Sequence, residues 1–151
     1  MTNIIVDVQK LPHAVNLPLP APATIMAAGV DLLAALDQNF TLNPGTRKII
    51  PTGIAIALPT GYEAQIRPRS GLAANHGVTL LNSPGTIVAE SRGEIGAIMI
   101  NHGQKSFLIE RGMRIAQLIV SPVIKFHWCE KERLTETERS EKGFGSTGIK
   151  N

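Results

Sequence analysis

Apolar and polar residues alternate with a period of two along much of this chain. Short apolar stretches are separated by Pro and Gly: "NIIVDV", "RKIIPTGIAIALP", "EAQIRP", "GVTLLN", "AIMINHG", "SFLIERG" and "RIAQLIVSPVIKFHW". Successive side chains of a strand point to opposite faces, so this alternation, rich in β-branched residues, predicts an all-β sandwich or barrel. "MAAGVDLLAALDQ" dissents, because Ala and Leu favour helix. Gly29 and the strand-like segments that follow leave a short extended segment with a turn as the alternative. No internal repeat is visible.

The pattern changes after Trp128. "CEKERLTETERSEKGFGSTGIKN" alternates charges and then becomes glycine-rich, with hardly any large apolar residue. Residues 1–128 therefore read as the β domain and 129–151 as a polar extension. That extension is either a frayed tail, as chain ends often are, or an arm that orders over a ligand or a neighbouring subunit.

With 151 residues, 43% hydrophobic and 18% charged, the chain has the length and balance of one globular domain with its own core. Aromatic residues make up only 4%, so the core must be aliphatic and stacking platforms for bases are scarce. A formal charge of +3 falls short of a dedicated nucleic-acid binder and suits an anionic small molecule equally well. One cysteine, Cys129, excludes an internal disulfide framework and any Cys-rich zinc site. The N-terminus lacks a basic region followed by a long apolar run, and no stretch reaches the roughly 18 apolar residues of a membrane span. The expectation is a cytoplasmic protein with neither nucleic acid nor membrane as partner.

Two stretches suit phosphate. In "QIRPRSGLA", residues 65–73, an extended backbone would put Arg67 and Arg69 on one side, and Ser70-Gly71 would form a turn with outward N–H groups. Guanidinium forks match phosphate oxygens bidentately; a solvated edge strand with a turn is the plain alternative. "GFGSTG", residues 143–148, offers backbone N–H groups and the hydroxyls of Ser146 and Thr147, with Arg139 nearby. No Lys follows the glycines as in a P-loop, so alone it reads as a flexible linker. "RGE" at 92–94 is explained as well by a buried Arg–Glu pair as by catalysis. The four histidines, 13, 76, 102 and 127, show no metal-ligand spacing.

In order, "AGVDL" (28–32), "RPRSGLA" (67–73), "NSPGTIVAESRGE" (82–94), "GMRIAQLI" (112–119) and "GFGSTG" (143–148) resemble the five motifs of the trimeric dUTPase family. The resemblance spans most of the chain. It implies a jelly-roll-like β-barrel or sandwich subunit with an extended C-terminal arm, a homotrimer with shared active sites, and Mg²⁺-dependent conversion of dUTP to dUMP and pyrophosphate. Such an activity cleans the nucleotide pool and supplies the precursor of dTTP. It also turns the polar tail into an arm that closes over a site formed by other subunits.

Position by position, the resemblance implies that Asp31 holds waters of the magnesium ion. Arg69, Ser70 and Gly71 match the phosphate-binding turn, and Gln117 lies beside the α-phosphate. Asn82 and a hairpin from Gly85 through Ile87 to about Met99 match the uracil and deoxyribose pocket. Arg139, Phe144, Gly145, Ser146 and Thr147 match the arm, with Phe144 covering the base. The third motif of the family usually reads Gly-x-Ile-Asp, two residues, then Tyr-Arg-Gly-Glu. Here the water-orienting Asp position is Val88 and the Tyr position beneath the sugar is Ser91; in the arm, two usual glycines are Ser140 and Lys142. Valine cannot accept a proton, and losing a general base commonly costs about 10²–10⁴-fold in rate. Glu90 is the nearby carboxylate that could substitute, on the same side of an extended strand roughly 6.5–7 Å away. Two functions follow: a dUTP diphosphatase slowed by its third motif, or a trimer of the same fold that binds dUTP or dUMP without efficient hydrolysis. The related dCTP deaminase branch lacks its glutamate context here.

Overall fold

The computed structural model describes residues 3–144 and 147–148. Ten strands carry it: β1 (Asp7–Lys10), β2 (Val30–Leu33), β3 (Phe40–Leu42), β4 (Arg47–Ala57), β5 (Tyr62–Arg67), β6 (Val78–Leu80), β7 (Gly85–Ile87), β8 (Glu94–Asn101), β9 (Phe107–Ile109) and β10 (Arg114–Pro122). One helix, α1 (Ser70–His76), and a 3-10 turn at Pro12–Ala14 complete the regular structure.

The strands form two four-stranded antiparallel sheets, ordered β1-β4-β8-β6 and β2-β10-β5-β7, with a β3-β9 ribbon beside them. Strands distant in sequence become neighbours, which gives the jelly-roll character of an all-β sandwich. Period-two alternation decides which face of each strand is buried. In β8, Ile95, Ala97 and Met99 point inward, and they meet Leu32, Ile115 and Ile109 in one aliphatic core. Each fully buried Leu, Ile or Met adds about 1.5–3 kcal/mol. The buried Asn101 is satisfied: its amide donates to the Leu42 carbonyl at 2.9 Å and the Lys105 carbonyl at 2.8 Å, and its oxygen accepts from the Gly103 N–H at 2.8 Å.

The helix-prone segment around Asp31 is the strand β2. Its Leu32 is fully buried under β10, and that burial overrides the weak helix propensity of Ala and Leu. Conversely, Ser70-Gly71 is not an isolated turn but the start of α1, after Pro68 breaks the line of β5.

Where β4 meets β8 the ladder breaks between Pro51 and Ala55. Pro51 has no N–H to give a ladder, and its carbonyl instead accepts from Ala35 at 2.8 Å. Gly53 has φ +69°, and a Cβ there would lie 2.0 Å from the Cβ of Ala14, so only glycine fits. Two side chains bridge the gap: Thr52 Oγ1 donates to the Ile95 carbonyl at 2.6 Å, and the Gly53 N–H donates to Glu94 Oε1 at 2.8 Å. No helix among the described residues is long and apolar enough to cross a membrane.

Candidate functional site

Register brings three motifs together on the outer face of one sheet. Gln117 on β10 lies opposite Asp31 on β2 and opposite Arg67 on β5, so all three side chains project to the same side. Gln117 Nε2 donates to Asp31 Oδ1 at 3.3 Å. After Pro68 turns the chain, Arg69 Nε reaches Asp31 Oδ1 at 3.4 Å, and its Nη1 donates to the Arg114 carbonyl at 3.0 Å. Arg114 adds its own Nε at 3.9 Å from Asp31 Oδ2. Arg67 bonds Gln65 Oε1, on the same side of the sheet as the Asp31 that Arg69 reaches from beyond Pro68.

One carboxylate among two guanidiniums leaves an excess of positive charge. Arg69 is held in place while keeping further N–H donors for a phosphate, and the Ser70 and Gly71 amides belong to the first turn of α1, where no intrahelical partner exists. The Asp31 side chain is only 14% exposed. A cavity of about 270 Å³ opens beside it, walled by Pro18, Leu19, Pro20 and Arg114. Gly29 allows the approach of β2 to β10, because a Cβ there would fall 2.3 Å from the Leu118 carbonyl oxygen.

The third motif builds a separate pocket. β7 pairs with β5, whereas β8 pairs with β4 and β6, so the expected hairpin is a loop whose arms enter opposite sheets. Between the arms lies a pocket of about 150 Å³ lined by Ile66, Asn82, Gly85, Ile87, Ser91 and Gly96, among others. A Cβ on Gly85 would stand 3.1 Å from the Asn82 amide nitrogen and 3.5 Å from Ile66 Cβ, narrowing its floor. Met99, expected at the end of this site, is instead fully buried in the core opposite Leu80: β8 leaves the pocket before reaching it.

The loop tip is fixed by local bonds. Ser91 N–H donates to the Val88 carbonyl at 3.0 Å, which closes a turn. Arg92 Nη1 donates to the Ala89 and Ser91 carbonyls at 2.6 and 2.7 Å. Within the chain Arg92 does not pair with Glu94, and Glu94 faces His13 Nε2 at 2.8 Å and the Gly53 N–H. The turn also ends the extended geometry through which Glu90 was expected to share a side with Val88. Val88 itself is 56% exposed.

The two half-sites lie apart within one chain. Ile87 pairs with Ala64, three residues along β5 from Arg67, and β7 is three strand spacings from β2. That separates Ile87 from Asp31 by roughly 17 Å. Among the described residues the arm reaches neither half: Arg139 Nε donates to the Lys142 carbonyl, and Phe144 is fully exposed. Gly145 and Ser146 lie outside the described residues, and Thr147 is exposed. Ser140 adopts φ +45°, a left-handed backbone that glycine accepts more readily. Among the described residues no three His, Cys, Asp or Glu side chains gather as a ligand set. A single carboxylate suits Mg²⁺, which retains waters and takes its remaining oxygens from phosphates.

Arg114 and the His13–Glu94 contact escape a reading of the sequence. Arg114 sits within a recognised motif, but its closeness to Asp31 follows from register alone, and His13 is 81 residues from Glu94.

The comparisons agree with this geometry. The dUTPase of Staphylococcus bacteriophage 80alpha, solved with dUpNHpp, is 26% identical, with a TM-score of 0.86 over 97% of this chain and 100% of that one. An Asp-to-Glu variant of the 80alpha enzyme is 27% identical, with a TM-score of 0.83 over 97% and 99%. An Asp-to-Asn variant of the dUTPase from phage phi11 of S. aureus, described with a structural Mg(II) ion, is 21% identical. It shares the fold, at a TM-score of 0.76 over 88% of this chain and 100% of that one. The sequence model described as dUTPase matches residues 15–148, nearly the whole chain, and this chain belongs to the dUTPase family.

Proposed function

We propose that this dUTPase-family enzyme hydrolyses dUTP to dUMP and pyrophosphate with Mg²⁺, as a homotrimer whose sites are shared between subunits. The observation that carries the shared site is the separation of the half-sites. In one nucleotide the sugar and the α-phosphorus are neighbours, whereas within one chain the Ile87 end of the loop lies roughly 17 Å from Asp31. A loop from one copy beside the cluster of another resolves this. The surface supports self-association: Ile49 on β4, Ile98 on β8 and Leu81 just beyond β6 form an aliphatic row, and Ile124, Phe126 and Trp128 are exposed after β10. Contiguous exposed apolar surface of this kind marks interfaces.

In this reading uracil enters between Gly85 and Gly96, Ser91 lies near the sugar, and Arg69, Ser70 and Gln117 hold the phosphates. Arg139, Phe144, Gly145, Ser146 and Thr147 come from an arm of another subunit and exclude water. Magnesium would neutralise charge on the phosphate oxygens, and Asp31 would accept hydrogen bonds from its waters. Water oxygen bonds to the α-phosphorus, the bond to the bridging oxygen of the β-phosphate breaks, pyrophosphate leaves, and the water's proton passes to solvent unless a side chain accepts it.

Val88 cannot take that proton. Its position favours a second reading, a trimer that binds dUTP or dUMP and turns over weakly. Pyrophosphate release measured with dUTP and Mg²⁺, beside calorimetric titration of dUMP, separates the two. Release is expected about 10²–10⁴-fold slower than with an aspartate at position 88; tight binding with no release leaves the binding trimer, and neither binding nor release refutes both.

A further inference from the structure

Glu94 ends the substrate loop and lines the pocket, yet its carboxylate bonds two residues that do not line it. Oε1 accepts the Gly53 N–H at 2.8 Å and lies 2.8 Å from His13 Nε2. Gly53 is the middle one of three residues, Thr52, Gly53 and Ile54, that the β4-β8 ladder leaves without a partner. The backbone of Gly53 and of His13 is held in turn: the Gly53 carbonyl accepts from Leu11 N–H at 2.8 Å, and the His13 carbonyl accepts from Arg111 Nη2 at 2.7 Å. Arg111 Nη1 also donates to the Leu36 carbonyl. One end of the pocket wall is therefore fastened by the Glu94 carboxylate, beside the Thr52 Oγ1 bond to the Ile95 carbonyl and the Glu94–Ala55 ladder pairing. The other arm, β7, is held by its ladder with β5.

We infer that Glu94 is a positioning residue for nucleoside recognition: its bonds to Gly53 and His13 set the spacing between the Gly93–Gly96 wall and β7, and so the width of the base pocket. The inference rests on the proposed placement of the nucleoside in this pocket. It goes beyond that placement by assigning the pocket's width to a contact behind it. A backbone N–H and an imidazole on one oxygen define its position from two directions, so reach matters more than charge. Gln keeps the reach and one acceptor oxygen, whereas Asp keeps the charge and is one methylene short.

The test compares dUMP and inorganic tripolyphosphate with Mg²⁺ as calorimetric probes of the full-length protein, with thermal unfolding followed alongside. Glu94→Asp and Glu94→Ala are expected to weaken dUMP binding about 10–100-fold, the scale of a lost charge-assisted hydrogen bond, and Glu94→Gln to stay within about threefold. Tripolyphosphate, which needs only the Asp31–Arg69–Gln117 cluster, is expected to bind all four proteins equally. His13→Phe, which spares the Gly53 bond, serves where Glu94→Ala fails to fold, and is expected to weaken dUMP alone. Parent-like dUMP affinity in folded Glu94→Asp overturns the inference. So does an equal loss of both probes, which would mark general damage to the fold. A parent protein that binds tripolyphosphate but not dUMP overturns the placement of the nucleoside and the inference with it.

Discussion

Val88→Asp places a carboxylate at the position that the proposed reaction gives to its proton acceptor. The position is well suited to the exchange: Val88 is 56% exposed, beyond the last ladder residue of β7, and its backbone already closes the turn to Ser91. No core contact is lost and no polar group is buried, so the stability change should stay within about 0.5 kcal/mol. The catalytic change should be far larger. A positioned general base contributes about 10²–10⁴-fold, or about 2.7–5.4 kcal/mol of barrier at 1.36 kcal/mol per decade. Steady-state pyrophosphate release with dUTP and Mg²⁺ is the assay, run on the parent, Val88→Asp, Glu90→Gln and the double variant. Turnover is expected to rise by at least about 10²-fold in Val88→Asp with little change in KM, and Glu90→Gln should match the parent, because the 88–91 turn takes Glu90 out of the extended line. Equal turnover of the parent and Val88→Asp refutes the assignment of position 88. Loss of all parent activity in Glu90→Gln would make Glu90 the base.

Three further outcomes follow from the same geometry. Gly53→Ala forces a left-handed alanine against the Ala14 methyl, with about 1–2 kcal/mol of backbone strain and about 1–3 kcal/mol of overpacking, and its Tm should fall clearly below that of the parent. Asp31→Asn leaves Arg69 and Arg114 without their shared carboxylate; a Mg²⁺ titration of pyrophosphate release should shift to higher metal concentration, and an unchanged titration would remove Asp31 from the metal's surroundings. Ser91→Tyr adds bulk to the pocket wall, so the ratio of dUMP to UMP affinity should rise in competition binding; an unchanged ratio would mean that Ser91 does not face the sugar.

Much of the site was legible because its parts are local. Arg69, Ser70 and Gly71 are contiguous, Gly85, Ile87 and Ser91 fall within one short run, and short motifs keep their chemistry whatever surrounds them. Period-two alternation marked the strands for the same reason, since it records which face each strand buries. Legibility failed where partners are distant. Met99 falls in the same run as the loop, but β8 crosses into the core before reaching it. Glu94 reads as the partner of Arg92, two residues away, yet bonds His13 and Gly53. The Glu90 geometry assumed a strand where the chain turns.

By itself the sequence determined the all-β architecture and the family, because these depend on composition, spacing and side-chain type. Only the tertiary structure decided that Asp31 lies between Arg69 and Arg114, that the third-motif loop divides between two sheets, and that its root hangs on a β4 bulge. Those facts depend on strand register, which is set by long-range packing and leaves no trace in the neighbouring residues.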